Sequence, residues 1–470
     1  MNRAQFTYLM LGTAFFWPVF RKDGIGLLFH ESAFGTLYSA RLFYLLFLML
    51  VLVCSLMIIV NRLHIAKLFA AHVSLVFIVS IVASLAAYVM TKAELFEAAD
   101  KAVIAVSLVL YAAWFALVVP AWGCVIARTQ RGSALLPVFL GFLIALPLSA
   151  LSLLPYLTYI VPVAGPAVSG LFWMLLQLSY HEGTSLPTDL SFQDIPMRQI
   201  GFLTLFLLAG GVIRGFLNNG IIGAVPVPTM IPTHIVTAIT ATIVMVMVLS
   251  RAHTLGMYRK IWGFLALLLF GGLFLVAFLG QQSASLNSFA RTLVIAGRTC
   301  FSLFLWVVLS QTAAQRRFDP IVLFSLFYVI GETISSLFSY LLVPALAQFL
   351  NVSLANQLTL FSLITAFMLM VASFLFLNGE MPAEAKPSET TPLDLWRELA
   401  PQYGLTERET EIAALISQGH SLKKIAGTLY LSPNTVQSYS KALYKKLDVH
   451  KKQDVIDLIA DFERTRTEAL

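Results

Sequence analysis

Cysteine is nearly missing: Cys54, Cys124 and Cys300 are the only three in 470 residues, each inside an apolar run and none in CxxC spacing. This leaves no basis for a disulfide framework or a thiolate metal site, and the three read as small buried packing residues. Charge is scarce as well. Only 12% of residues are Asp, Glu, Lys or Arg, while 59% are hydrophobic, about half the charged share of an ordinary soluble domain. No P-loop, zinc-ligand set, Ser-His-Asp grouping or paired carboxylates stand at the spacing their chemistry needs. The sequence therefore points away from an enzyme and calls for no cofactor and no metal.

What is present is hydrocarbon. Apolar runs near the ~20 residues that cross a bilayer recur through most of the chain. Twelve spans are expected at 5–20, 39–61, 66–90, 99–127, 133–154, 158–180, 197–218, 231–250, 259–280, 288–314, 319–343 and 354–378, with the polar stretch His181 to Arg198 dividing them six and six. The first run has no small-residue cleavage signature after it and reads as an uncleaved span. The fold class expected is all-α: a polytopic membrane bundle over 1–378, a tether over 379–392 and a small helical domain over 393–470.

Basic residues sort by side. With both termini inside, the inner loops hold Arg62, Lys67, Arg128, Arg131, Arg198, Arg251, Arg259, Lys260, Arg316 and Arg317, against Arg21, Lys22, Arg41, Lys92, Lys101 and Arg291 outside. The excess of positive charge inside places both termini in the cytoplasm of a bacterial cell, with the bundle in its inner membrane.

Charge within a span is costly and is a functional candidate by default. Arg214, Arg298 and Glu332 are the candidates, and two readings stand open. They form an anionic-ligand site or transmission switch, or they form ion pairs that hold neighbouring spans together. His72 and His234 lie near span ends and read as polar packing. The Pro- and Gly-interrupted segments 155–166 and 218–232 read as cavity-lining breaks or as ordinary loops.

After Leu377 the composition changes. The Pro/Glu/Thr-rich tether lacks any core-forming pattern. About 14 such residues span roughly 20 Å as a coil, which keeps the tail close to the membrane. From Glu380 onward 12 basic residues face 14 acidic ones, so the chain's net charge of +7 belongs to the bundle. Any affinity of the tail for an anionic partner must come from local clustering.

That clustering is visible. LDLWRELAPQYG makes a short amphipathic lead-in helix. Thr406 with Glu409 forms a capping box ahead of Ile412, Leu415 and Ile416, and Gly419 ends that helix. Ser421 caps the next helix. Ser432 caps a third, with Pro433 at its first position and Val436, Leu443 and Leu447 as its buried stripe. Two helices on a tight turn, the second starting with short polar residues, is helix-turn-helix geometry for the major groove of double-stranded DNA. Asn434, Thr435, Gln437 and Ser438 are placed to reach base edges. Lys441 and Lys445, with Ser421, Lys424 and Ser432, are placed to reach the backbone. Lys423, Lys446, Lys451 and Lys452 are read as further phosphate-neutralising charge.

The stretch LTERETEIAALISQGHSLKKIAGTLYLSPNTVQSYSKALYKKLDV resembles the LuxR-type DNA-binding domain. Leu405, Thr406, Arg408, Glu409, Glu411, Gly419, Ser421, Ile425, Ala426, Ser432, Thr435, Val436, Lys446, Leu447 and Val449 fit its pattern. Gln437 stands where that family often has Lys, Tyr439 where it often has His, and Leu422 and Lys424 where Asn and Glu are common. The base preference is therefore not carried over. The resemblance implies a four-helix core over 405–464 and homodimers on two-fold sites, with Val455 and Ile459 either forming the seam or packing the core. No receiver-like segment with a phosphoacceptor Asp precedes the tail; the bundle stands in that place.

Twelve spans with both ends inside resemble the major-facilitator architecture, although the basic signature loop of that family is replaced by IVNRLHIAKLF. The whole chain is similar to the membrane-bound LuxR-family regulators of anaerobic actinobacteria. The expected function is a membrane-embedded one-component transcription regulator whose bundle senses a small molecule. A transporter with an attached regulatory tail is the alternative.

Overall fold

The computed structural model describes residues 1–20, 28, 40–92, 101–128, 135–151, 154, 157–180, 205, 227–250, 257–278, 282–316, 318–342, 345, 348–349, 351, 354–377, 392–429 and 431–469. These residues are overwhelmingly helical. They fall into two compact units, Met1–Ala383 and Glu384–Leu470.

The larger unit holds α1 (Arg3–Phe20), α2 (Ala40–Val60), α3 (Arg62–Ala71), α4 (Leu75–Thr91), α5 (Lys101–Arg128), α6 (Leu135–Ala150) and α7 (Ile160–Leu178). It continues with α8 (Val227–Ser250), α9 (Met257–Phe278), α10 (Ala284–Arg316), α11 (residues 320–342) and α12 (Leu354–Leu377). Among the described residues seven helices have the length and hydropathy to cross a membrane, or eight if the bent pair α3–α4 is one crossing, where twelve spans were expected. The expected span 197–218 lies outside the described residues, apart from Leu205.

The expected single span 66–90 is instead two helices meeting at 100°. His72 leaves the helical region (φ −126°, ψ 75°) after capping Leu68 O with its N–H, and Ser74 opens α4. Arg62, His64 and Lys67 within ten residues give α3 a polar load that α4 lacks. The expected span 319–343 is also irregular: Phe324–Ile330 and Phe338–Leu342 are π-helical, on either side of the α-helical segment Gly331–Leu337.

Inside the bundle α1 packs on α6 and α7, α4 on α5 and α7, and α9 and α10 on each other. The two sets of helices meet where α6 touches α8, α2 touches α11, and α5 touches α10 and α11. An aromatic knot fills this meeting place. Trp306 of α10 lies 5.2 Å from Trp17 and 5.4 Å from Phe16 of α1, and 4.8 Å from Phe324 of α11 (ring centroids). The outside is apolar as well: α8 exposes Ile231, Ile235, Ile239 and Ile243 at four-residue spacing, one continuous stripe of a helix. A surface of that kind is stable against lipid and not against water.

The smaller unit comprises α13 (Pro392–Tyr403), α14 (Glu407–Ser417), α15 (Leu422–Thr428), α16 (Pro433–Leu447) and α17 (Lys452–Ala469). Leu395, Trp396, Ile412, Ile416, Ile425, Val436, Leu443 and Val455 close its core. The lead-in helix α13 belongs to that core through Trp396, whose Nε1 donates to Ser417 Oγ at 3.1 Å.

Candidate nucleic-acid interface and buried charges

Local chemistry sets the helix boundaries around the turn in the smaller unit. Thr406 Oγ1 accepts from the Glu409 N–H (3.4 Å), and Glu409 Oε2 accepts from the Thr406 N–H (2.8 Å), closing a capping box on α14. Gly419 adopts φ +86°, and the His420 N–H reaches back to Leu415 O. This left-handed stop is one glycine makes without strain. Ser421 Oγ then accepts from the Lys424 N–H (3.3 Å) to start α15. The Leu431 N–H bonds Ala426 O across the next turn, and Ser432 Oγ accepts from the Thr435 N–H (3.1 Å) to start α16 behind Pro433.

α16 has two faces. Val436, Ser440, Leu443 and Leu447 are buried; Asn434, Gln437, Ser438, Lys441 and Lys445 are exposed. The exposed five recur at three- and four-residue spacing, so they form one stripe opposite the core. Thr435 is half-buried and paired with Ser432, their hydroxyl oxygens 2.7 Å apart. Ser438 Oγ is turned back to Asn434 O (3.1 Å). Lys423 and Lys424 are exposed on α15. The hydroxyls of Ser421 and Ser432 are both engaged by their own helices.

Two of the lysines read as phosphate contacts serve inside the fold. Lys446 Nζ donates to Glu409 Oε2 (2.6 Å) and Gly404 O (2.9 Å). Lys452 Nζ donates to Gly419 O (2.5 Å) and His420 O (2.9 Å). Burial raises the Glu409 carboxyl, but hydrogen bonds from Lys446 and Thr406 outweigh it and hold it below the usual carboxylate range. Asp454 caps the start of α17 by accepting from the N–H groups of His450 (3.0 Å) and Lys451 (2.9 Å), which lower its carboxyl too.

In the bundle, the structure brings two of the three candidate charges together. Arg298 Nη2 of α10 pairs with Glu332 Oε2 of α11 at 2.5 Å, and Ser302 Oγ donates to Glu332 Oε1 at 3.0 Å. Glu332 sits in the short α-helical stretch between the two π-helical ones, the kind of irregularity that helices keep at functional positions. Arg214 lies outside the described residues. A pair that sequence reasoning missed joins Arg62 of α3 to Asp319 at the start of α11, 3.0 Å apart, with Asp319 almost fully buried. The sequence marks Arg62 only as a loop charge.

Comparison with known proteins places the smaller unit. The model of "Bacterial regulatory proteins, luxR family" matches residues 404–459. Residues 404–459 form a LuxR-type domain. Its segment is 46% identical over 52 residues to the uncharacterized response regulatory protein YgeK of Escherichia coli K12, covering 11% of this chain and 35% of that protein. It is 39% identical over 51 residues to the response regulator UvrY of the same organism, covering 11% and 23%. The chain thus spans about a third or less of the curated relatives it matches.

The bundle resembles a different kind of protein. A crystal structure of a bacterial homologue of the iron transporter ferroportin, in an outward-facing state, superposes with a TM-score of 0.51 at 14% identity, covering 80% of this chain and 99% of that one. At this identity the likeness shows the fold alone, that of a polytopic helical bundle. Within the LuxR-type domain Val455 and Ile459 are buried in the core, so they pack it and are not free to form a seam. α13 precedes the matched segment and still completes the core of the domain.

Proposed function

We propose that the chain is a membrane-embedded one-component transcription regulator, with the bundle as input and the LuxR-type domain as output. One observation carries the reading: α16 presents Asn434, Gln437, Ser438, Lys441 and Lys445 as an exposed polar and basic stripe opposite the core of its own domain. Such a stripe fits the major groove, Gln437 and Asn434 towards base edges and the lysines towards phosphates. Lys424 and the caps at Ser421 and Ser432 hold the turn against the backbone. The domain acts on the cytoplasmic side of the inner membrane and pairs on two-fold sites as a homodimer.

The input is assigned to the α10–α11 seam around Arg298 and Glu332, where a small molecule that prefers one arrangement of the bundle would bias the tail. A swing from 1:99 to 99:1 requires about 5.5 kcal/mol of differential affinity. Chromatin immunoprecipitation of the full-length chain tests the output: discrete two-fold sites are expected, and uniform coverage would refute sequence-specific binding. Transcript profiling of Arg298→Gln tests the input, with an altered set of transcripts expected.

The transporter-like bundle fold favours a second reading, a carrier whose tail regulates its own expression. Solute uptake into proteoliposomes that survives removal of residues 380–470 would support it.

A further inference from the structure

We propose that Lys446 is a positioning residue that conveys the pose of α13 to the DNA-facing helix α16. The inference rests on the reading of the bundle as input and the LuxR-type domain as output.

α13 is the first element of the smaller unit, and it is locked into that unit's core. Leu395, Trp396 and Leu399 are buried, and α13 packs on both α14 and α17. It joins α14 through Gly404, whose φ of +58° is the left-handed region that favours glycine. A side chain added there would meet nothing within 4 Å; backbone conformation, not crowding, is what calls for glycine at this joint. The joint is the only route by which α13 reaches α14 along the chain.

Lys446 grips both sides of this joint. Its ammonium takes Gly404 O at 2.9 Å on the α13 side and Glu409 Oε2 at 2.6 Å on the α14 side. Glu409 is also the acceptor that closes the capping box on Thr406. Two of the three ammonium protons are therefore committed within the protein. Lys446 is exposed too, but as the residue after Lys445 it projects to the side of the stripe, about 100° round the helix. A turn of α13 about Gly404 moves the carbonyl that Lys446 holds. α16 is a single 15-residue helix, so its DNA-facing residues move with its last turn. This is a contiguous physical connection between the point where the chain enters the domain and the face that meets DNA.

The test uses the full-length chain in nanodiscs and a DNA duplex selected from a random pool by the wild-type chain. Lys446→Met is expected to lose about tenfold in affinity, with the slope of log K against log salt unchanged, because no phosphate contact is removed. It should also speed amide hydrogen exchange at 404–409, and Lys446→Arg should restore both. Lys441→Met serves as the control and should lower the slope by about one. A slope lowered by one in Lys446→Met, with exchange unchanged, would make Lys446 a phosphate contact and overturn the proposal while leaving the regulator reading intact.

The link to the bundle is read from Arg298→Gln in the same exchange experiment. Faster or slower exchange at 404–409 together with altered transcripts supports the route. Altered transcripts with unchanged exchange place the route elsewhere and overturn the proposal. Unchanged transcripts and unchanged exchange overturn it too, this time because the bundle is not an input.

Discussion

Asp319 serves two partners at once: its Oδ2 accepts from Arg62 Nη1 at 3.0 Å, and its Oδ1 accepts from the Ile321 N–H at 2.8 Å. The first bond joins residues 257 apart in sequence and ties α3 to α11; the second caps α11. Asp319→Asn keeps a capping oxygen and loses the charge, so we expect a loss of about 1–3 kcal/mol in the bundle. Arg62→Ala strands a nearly buried carboxylate and should cost more, towards the ~3–5 kcal/mol of a broken buried pair. Thermal unfolding in detergent checks the order; equal midpoints for both variants and wild type would show that the pair contributes nothing.

The Glu409 carboxyl gives the LuxR-type domain an acid limb. Its folded value is depressed, so the stability it contributes is fully present above the ordinary glutamate range near pH ~4.3. That contribution is lost as pH falls through the depressed value. Glu409→Gln is expected to lower stability at pH 7 by about 2 kcal/mol and to make the acid limb shallower. Asp454, also depressed, retains part of it. Denaturant unfolding of residues 384–470 between pH 3 and 7 measures both effects, and parallel profiles for variant and wild type would contradict the assignment.

Lys441 and Gln437 lie on the same stripe and should fail differently. Lys441→Ala is expected to weaken binding to all sequences and lower the salt slope by about one, whereas Gln437→Ala should cost about 1–3 kcal/mol at one base position. Binding titrations over single-base variants of a selected site separate them. Uniform losses for both would mean that α16 meets DNA in another orientation.

The Arg298–Glu332 pair is open to a double-mutant cycle. Arg298→Gln and Glu332→Gln each remove one partner of a mostly buried pair, and the double variant is expected to cost less than the sum of the two single losses. A coupling of about 1–3 kcal/mol is the expected result. Zero coupling in melting experiments would assign both charges to something other than each other.

Features that lie within four residues of one another could be read from the sequence. The caps at Thr406, Ser421 and Ser432, the stop at Gly419 and the buried stripe Val436, Leu443, Leu447 all follow from local hydrogen bonding and helical period. Long-range partners could not. Lys446 and Glu409 are 37 residues apart, and nothing local distinguishes Lys446 from Lys445, which faces outward. Arg62 and Asp319 were invisible as a pair for the same reason. Hydropathy also hid the bend after Ala71, because an apolar run of membrane-spanning length does not show His72 leaving the helix. It hid the π-helical turns around Glu332 as well, since these change hydrogen-bond register without changing composition. Val455 and Ile459 show the limit at an interface: an apolar period marks burial, not which surface does the burying.

α10 runs 33 residues without a proline, from Ala284 to Arg316. At 1.5 Å per residue it is about 50 Å long, against a hydrocarbon layer of ~30 Å. Polar residues are dense at its two ends, ASLNSFAR and SQTAAQR, and Arg298, Thr299 and Ser302 form a third polar group between them. Arg298 and Trp306 ride at the centre of this one rod. A helix longer than the layer it would cross can be accommodated by tilting, and any tilt of α10 would carry Arg298 and Trp306 with it.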